Sequence, residues 1–195
     1  MKTQLIFATN NQHKIAEIRS VIGDNFSIIT LQEAGINIDI PEPHETLEAN
    51  ASEKSATIFR MTHQHCFSED TGLEVTALNG APGVKSARYA GEGRDFQQNI
   101  DLLLHNLNGI TDRRARFRTV ISLILDGREI LFEGICEGRI ATDQKGLQGF
   151  GYDPVFIPDG ATKSFAEMSM DEKNSFSHRK KAVTKLIQYL QSQKI

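Results

Sequence analysis

The opening of the chain alternates between short apolar runs and a periodically apolar segment, and this order limits the available folds. Gln4–Ala8 and Phe26–Leu31 predict buried strands, because each run is short, apolar and bounded by polar residues. Between them, isoleucines recur at helical spacing from Ile15 to Ile22, and Asn10 or Asn11 is a suitable helix cap. A strand, a helix and a second strand predict a parallel α/β unit.

The middle of the chain carries antiparallel signals. Ala115–Leu125 and Arg128–Ile140 flank an Asp-Gly pair, which is typical of a tight β-hairpin. His65–Val75 predicts a strand, a tight turn at Thr71 and a second strand. The sheet is therefore expected to mix parallel and antiparallel pairs.

Three helices are predicted after the opening unit. Thr46 is expected to cap a long helix that continues to Thr62, and Phe96–Leu107 is amphipathic. Ser177–Gln191 predicts a final helix with one apolar face, formed by Ala182, Val183, Leu186, Ile187 and Leu190. The predicted fold class is α/β, a mixed twisted sheet with flanking helices and a cleft, with the chemistry in loops at strand ends.

Length and charge exclude several classes of function. The 195 residues suit a single domain, and a net charge of -3 disfavours general binding to nucleic acid or to an anionic membrane. The two cysteines, Cys66 and Cys136, lie in apolar runs without metal-type spacing and are expected to be buried free thiols. Because the apolar stretch at the N-terminus is too short for a signal peptide, we expect a cytoplasmic protein.

The first candidate site element is the turn between the opening strand and helix. Thr9, Asn10 and Asn11 lie where free backbone N–H groups and the positive end of the helix suit a phosphate. Lys14 follows one turn later and adds a full charge. The alternative is an ordinary helix cap with a surface lysine.

Carboxylates form the second candidate element. Glu69 and Asp70 end an apolar strand, where neighbouring side chains point to opposite faces, so only one of them can face a given cleft. Such a carboxylate can ligate Mg²⁺ or activate water, although an Asp-Thr-Gly turn is an equal alternative. Glu42 stands between two prolines, and its stiff segment suits either a metal ligand or a solvated loop acid.

The third candidate element joins an aromatic loop to a basic helix start. Phe150–Asp153 combines a flat ring, permissive backbone and an acceptor, which suits a stacked nucleobase as well as an aromatic core contact. Lys173, His178 and Arg179 crowd the beginning of the last helical region. Cations oppose the helix dipole there, which favours a ligand over a purely structural helix start.

Together these stretches resemble the inosine triphosphate pyrophosphatases, the Ham1-like family, over nearly the whole chain. The resemblance rests on T-x-N-x-x-K at Thr9–Lys14, on "SEDTGLEVTALNGAPGVKSARYAG", on "FGYDP", and on "EKN" followed by "SHR". Glu69 and Thr71 stand where the family more often has Asp and Ser. The resemblance implies an elongated mixed sheet with two lobes around a central cleft, one domain over residues 1–195 and a homodimer.

The resemblance also implies hydrolysis of ITP, dITP and XTP to the monophosphate and pyrophosphate, with Mg²⁺. It assigns catalysis to Asp70 and the metal to Glu42 and Asp70. It assigns the substrate to Thr9, Asn10, Asn11, Gln12, His13, Lys14, Lys54, Thr71, Phe150, Gly151, Tyr152, Asp153, Lys173, His178 and Arg179.

Hydrogen bonding explains how such a site selects its base. Hypoxanthine and xanthine carry an acceptor at the six-position where adenine has an amino donor, and Arg179 or a suitably protonated His178 can only donate there. Two other functions fit the same residues: a Maf-like pyrophosphatase acting on modified pyrimidine or other nucleotides, and a nucleotide-binding regulatory protein without catalysis. Asp70, Glu42 and Lys14 together argue against the regulatory protein.

Overall fold

The computed structural model describes residues 3–23 and 26–193. Over these residues it contains the strands β1 (Thr3–Phe7), β2 (Phe26–Thr30), β3 (Cys66–Val75), β4 (Pro82–Gly83), β5 (Arg114–Leu125), β6 (Arg128–Ile140) and β7 (Phe156–Pro158). Its α-helices are α1 (Gln12–Arg19), α2 (Leu47–Thr62), α3 (Phe96–Asn106), α4 (Met170–Phe176) and α5 (His178–Ser192). Single 3-10 turns lie at Thr76–Leu78, Ser86–Arg88 and Phe165–Glu167.

The strands form one mixed sheet in the order β2-β1-β3-β5-β6-β7, and β4 pairs with β3. β1 pairs in parallel with both β2 and β3, whereas β4 runs antiparallel to β3 and β7 antiparallel to β6. The opening parallel α/β unit and the mixed α/β sheet are confirmed. The hairpin between β5 and β6 is also confirmed, with Asp126 and Gly127 both at positive φ in its turn.

The described residues divide into two compact units. Unit 1 comprises residues up to Asp70, residues 119–134 and residues from Arg179 onward. Its largest apolar cluster joins strands β1 to β3 and β5 to helices α1 and α5, and Phe7 stacks on Phe67 at a centroid distance of 4.5 Å. The predicted apolar face of the last helix is confirmed, since Ala182, Val183, Leu186 and Leu190 are buried in this cluster and Ile187 packs against it.

Unit 2 comprises residues 71–118 and 135–178. Its core combines α3, through Ile100 and Leu103, with an aromatic group formed by Phe117, Phe156 and Phe165. None of the helices in the described part of the chain has the length and apolar character needed to span a membrane.

One sequence prediction is wrong. The expected turn at Thr71 is absent, because β3 continues without interruption from Cys66 to Val75. Gly72 serves close packing instead: a Cβ there would lie 2.7 Å from the carbonyl oxygen of Gly83 on β4, so only glycine lets the two backbones approach. The last helix, predicted at Ser177–Gln191, is confirmed as α5, and the shorter helix α4 precedes it with Ser177 as its C-cap residue.

Candidate active site

The turn between β1 and α1 is built as a helix cap. The side chain of Asn11 accepts hydrogen bonds from the backbone N–H groups of His13 (3.0 Å) and Lys14 (3.2 Å). Two of the amides expected to meet a phosphate therefore already bind Asn11, as the ordinary-cap alternative requires. Asn10, Gln12 and His13 are exposed, and Asn10 donates to the carbonyl of Ile38.

A second cluster in unit 1 joins α2 to the end of β3. The ammonium of Lys54 lies 2.6 Å from Oε1 of Glu42 and 3.3 Å from Oδ1 of Asp70. Asn50, one helical turn before Lys54, donates to Oδ2 of Asp70 at 3.3 Å. Asn50 also exchanges two hydrogen bonds with the backbone of His44, which ties the segment after Glu42 to α2.

The charges in this cluster depend on one another. Burial raises the pKa of Asp70; the nearby charges of Lys54 and Lys14 oppose this shift, while that of Glu42 adds to it. Burial alone would lower the pKa of Lys54, but the charges of Asp70 and Glu42 outweigh it and leave the pKa raised. The ammonium therefore stays charged between the two carboxyl groups.

Glu69 is the centre of a separate ion-pair network in unit 1. Arg179 binds both of its oxygens, at 2.8 and 3.0 Å, and Lys14 lies 3.2 Å from Oε1. Arg179 also forms an ion pair with Glu17. Burial alone would raise the pKa of Glu69, but the charges of Arg179 and Lys14 outweigh it and lower the pKa to about 2. Glu69 and Asp70 thus have different partners, as the alternation of a strand requires.

The aromatic loop in unit 2 is organised by Asp153. Its Oδ2 accepts from the backbone N–H of Phe150 at 2.9 Å and from the ammonium of Lys173 at 2.7 Å. The ammonium lies 5.3 Å from the ring centroids of both Phe150 and Phe165, within cation–π range. A Cβ at Gly149 would lie 2.0 Å from the same carboxylate oxygen, so glycine is needed there.

Other predicted base contacts are buried in unit 2. The hydroxyl of Tyr152 donates to the carbonyl of Ser86 at 2.8 Å, and burial raises its pKa. The imidazole of His178 stacks on Phe117 at a centroid distance of 4.7 Å. Gly151 has a positive φ, and Thr71 is partly buried at the point where unit 2 begins.

The structure places several of the predicted site residues in two clusters. It brings Glu42, Lys54 and Asp70 together, and it brings Phe150, Asp153 and Lys173 together. Tyr152 and Asp153, predicted to contact the base, have almost fully buried side chains that form hydrogen bonds with protein groups.

Arg179 departs most from its predicted role. Three of its N–H groups are directed at the carboxylates of Glu69 and Glu17, and only 2% of its surface is exposed. Its position at the beginning of α5 is therefore explained by acidic protein partners, without a ligand to offset the helix dipole.

Sequence reasoning missed Asn50 and Glu17. The spacing of Asn50 four residues before Lys54 places both side chains on one face of α2 and was an available signal. Glu17 could not be found in this way, because its partner Arg179 is 162 positions away in the sequence.

The donor set near Asp70 fits a divalent ion that arrives with oxygen ligands of its own. Among the described residues, no three His, Cys, Asp or Glu side chains are grouped so that they could hold a metal ion. Glu42 and Asp70 nevertheless share one cation, the ammonium of Lys54. Mg²⁺ is commonly held by one or two carboxylates together with substrate phosphates and water, and this pair meets that requirement.

Comparisons with known proteins cover almost the whole chain. The sequence profile of the Ham1 family matches residues 5–189. The chain is 46% identical over 189 residues to the "dITP/XTP pyrophosphatase" of Flavobacterium psychrophilum, covering 97% of this chain and all of that protein. It is 50% identical over 188 residues to the protein of the same name from Porphyromonas gingivalis, covering 96% and 97%.

Solved structures show the same fold. The Staphylococcus aureus Ham1 protein superposes with a TM-score of 0.89 at 38% identity, covering 98% of this chain and 100% of that chain. A HAM1 protein from Coxiella burnetii gives a TM-score of 0.89 at 33% identity, covering 97% and 99%.

Proposed function

Because the chain belongs to the Ham1 family, we propose that it hydrolyses dITP, XTP and ITP to the corresponding monophosphate and pyrophosphate. Such an activity removes deaminated purines from the nucleotide pool. The observation that carries the proposal is the cluster of buried Asp70 and Lys54 with half-buried Glu42, which combines a carboxylate for activating water with charges for a polyphosphate.

Asp70 is the proposed catalytic residue. Cleavage between the α- and β-phosphates needs a water aligned opposite the pyrophosphate leaving group, and catalysis is then mostly positioning and charge stabilisation. Burial raises the pKa of Asp70, which makes its carboxylate a better proton acceptor than an exposed one. Asn50 donates a hydrogen bond to one of its oxygens, Oδ2, and so helps to orient the carboxylate towards the water.

The positive charge that neutralises the polyphosphate is proposed to come from lysines of the chain and from Mg²⁺. Lys14 and Lys54 are the proposed phosphate contacts. The segment that precedes Lys14 supplies the other proposed contacts, which are Thr9, Asn10, Asn11, Gln12 and His13. Glu42 and Asp70 would hold Mg²⁺, which when bound neutralises charge that develops on the leaving pyrophosphate.

Base recognition is assigned to unit 2. Phe150 offers a ring for stacking, which is worth about 1–3 kcal/mol per base. Asp153 and Lys173 hold that ring and its loop in place, Gly151 and Tyr152 belong to the same loop, and Thr71 is the proposed substrate contact beside Asp70. We assign donation to the six-position oxygen to His178, and we assign to Arg179 the fixing of the start of α5 through Glu69 and Glu17.

The identity of the products tests this proposal directly. Hydrolysis of dITP in ¹⁸O-labelled water, followed by ³¹P NMR, should give pyrophosphate and dIMP in equal amounts. Orthophosphate and dIDP as the products would contradict it, and so would faster turnover of methylated or dUTP-like pyrimidine nucleotides.

A homodimer and a cytoplasmic location complete the proposal, and sedimentation of the purified protein tests the dimer.

A further inference from the structure

Lys54 occupies the place between two carboxylates that a metal ion would share. Its ammonium contacts Oε1 of Glu42 at 2.6 Å and Oδ1 of Asp70 at 3.3 Å. The side chain of Lys54 is only 8% exposed, and that of Asp70 only 7%. The charge of this lysine is therefore poorly screened by solvent, and the two carboxylates depend on it for neutralisation.

A divalent ion and this ammonium compete for the same oxygens. Mg²⁺ requires oxygen ligands at about 2.0–2.1 Å, so it competes with the ammonium for Oε1 of Glu42 and Oδ1 of Asp70. Two cations side by side at this poorly solvated carboxylate pair would also repel each other. A divalent ion therefore binds the pair weakly as long as Lys54 stays between the two carboxylates.

A bound nucleoside triphosphate shifts this competition in favour of the metal ion. Its phosphate oxygens supply the remaining ligands of Mg²⁺ and, at the same time, a new anionic partner for the displaced ammonium. Lys54 lies on α2, and its long side chain can turn from the carboxylates to a phosphate without a movement of the helix.

We propose that Lys54 is an exchangeable counter-ion: it holds Glu42 and Asp70 together in the nucleotide-free protein, excludes free divalent ions, and passes to the substrate phosphates when a metal–nucleotide complex binds. This inference rests on the proposed function for the identity of the ligand. On this proposal the metal ion binds together with the nucleotide, because the nucleotide-free protein has a low affinity for the ion alone.

The test measures binding of Mn²⁺ alone to nucleotide-free protein, by EPR titration, so that turnover plays no part. Lys54→Met should bind Mn²⁺ about tenfold more tightly than the wild type, because the competing cation is gone. Lys54→Arg, which keeps the charge, should bind as weakly as the wild type. The matched control is Lys163→Met, which removes the same charge from an exposed lysine paired with Glu172 in unit 2, and should tighten binding by at most about threefold.

Two results would overturn the inference. One is an unchanged Mn²⁺ affinity in Lys54→Met, and the other is equal tightening in Lys163→Met, which would reduce the effect to overall charge. Melting curves with and without Mg²⁺ establish that each variant is folded, and Lys54→Gln replaces Lys54→Met if the latter unfolds. Pyrophosphate release from dITP by the wild type tests the proposed function separately, so the two can fail independently.

Discussion

The ammonium of Lys173 and the carboxylate of Asp153 form a buried ion pair with an N–O distance of 2.7 Å. The same carboxylate oxygen accepts from the backbone N–H of Phe150. Asp153 thus holds both the ammonium of Lys173 beside the ring of Phe150 and the backbone of the loop that carries this ring. Asp153 therefore acts as a positioning residue for the proposed base site.

Removing this charge should weaken nucleotide binding more than turnover. Asp153→Asn keeps the shape but leaves Lys173 over two rings without its carboxylate, so KM for dITP should rise about tenfold with a smaller change in kcat. The exposed Asp159→Asn is the matched control and should leave both constants unchanged. A fall in kcat at constant KM would contradict the positioning role, and steady-state kinetics decide between the two.

Asp70→Asn should abolish catalysis while binding largely survives. Asparagine preserves the shape beside Asn50 and Lys54 but cannot accept a proton from water, so kcat should fall by roughly 10²–10⁴-fold. Isothermal titration with a hydrolysis-resistant dITP analogue and Mg²⁺ measures binding independently. Equal losses in binding and turnover would remove Asp70 from the catalytic role, and the exposed Asp39→Asn serves as the control.

The lowered pKa of Glu69 predicts a specific loss of stability in acid. A carboxylate with a pKa of about 2 in the folded protein, against an ordinary value of 4.5 in the unfolded chain, contributes its full stabilisation above pH 4.5 and loses it as the pH falls towards 2. The contribution at neutral pH is about 3 kcal/mol. The difference in unfolding free energy between the wild type and Glu69→Gln should shrink over this range in urea titrations. A difference independent of pH would contradict the pKa shift, and exposed Glu45→Gln should show no difference at any pH.

Arg179→Ala should destabilise the fold far more than a typical arginine substitution. It leaves Glu69 and Glu17 buried without their shared cation, which costs about 3–5 kcal/mol. The control, Arg60→Ala, removes an arginine whose side chain is 64% exposed, and it should change the unfolding free energy by less than about 0.5 kcal/mol. Equal stability of the two variants in urea would show that the Arg179 network is not structural.

Local patterns predicted most of the fold. The cap at Thr46, the Asp-Gly hairpin and the apolar face of α5 each depend on neighbouring residues, and all three are confirmed. The prediction of a turn at Thr71 was wrong, because Gly72 is needed for the close packing of β3 against Gly83 on β4. This long-range constraint is not visible in the local sequence.

The site was harder to predict, because its contacts join distant parts of the chain. Sequence patterns identified the residue types but not their pairing: Arg179 was expected to face a base, whereas its contacts are with Glu69 and Glu17. The carboxylates beside Lys54 were each recognisable, yet only the folded arrangement shows that the lysine joins them. The cleft between two lobes stays a prediction.

The most direct measurement of the central claim is pyrophosphate release from dITP, XTP, dATP, dGTP and dTTP with Mg²⁺ under matched conditions. We expect kcat/KM for dITP and XTP to exceed that for dATP by at least about 10²-fold, because adenine leaves the proposed donor to the six-position, His178, unpaired. Equal values for dITP and dATP, or no pyrophosphate from any of the five nucleotides, would contradict the account.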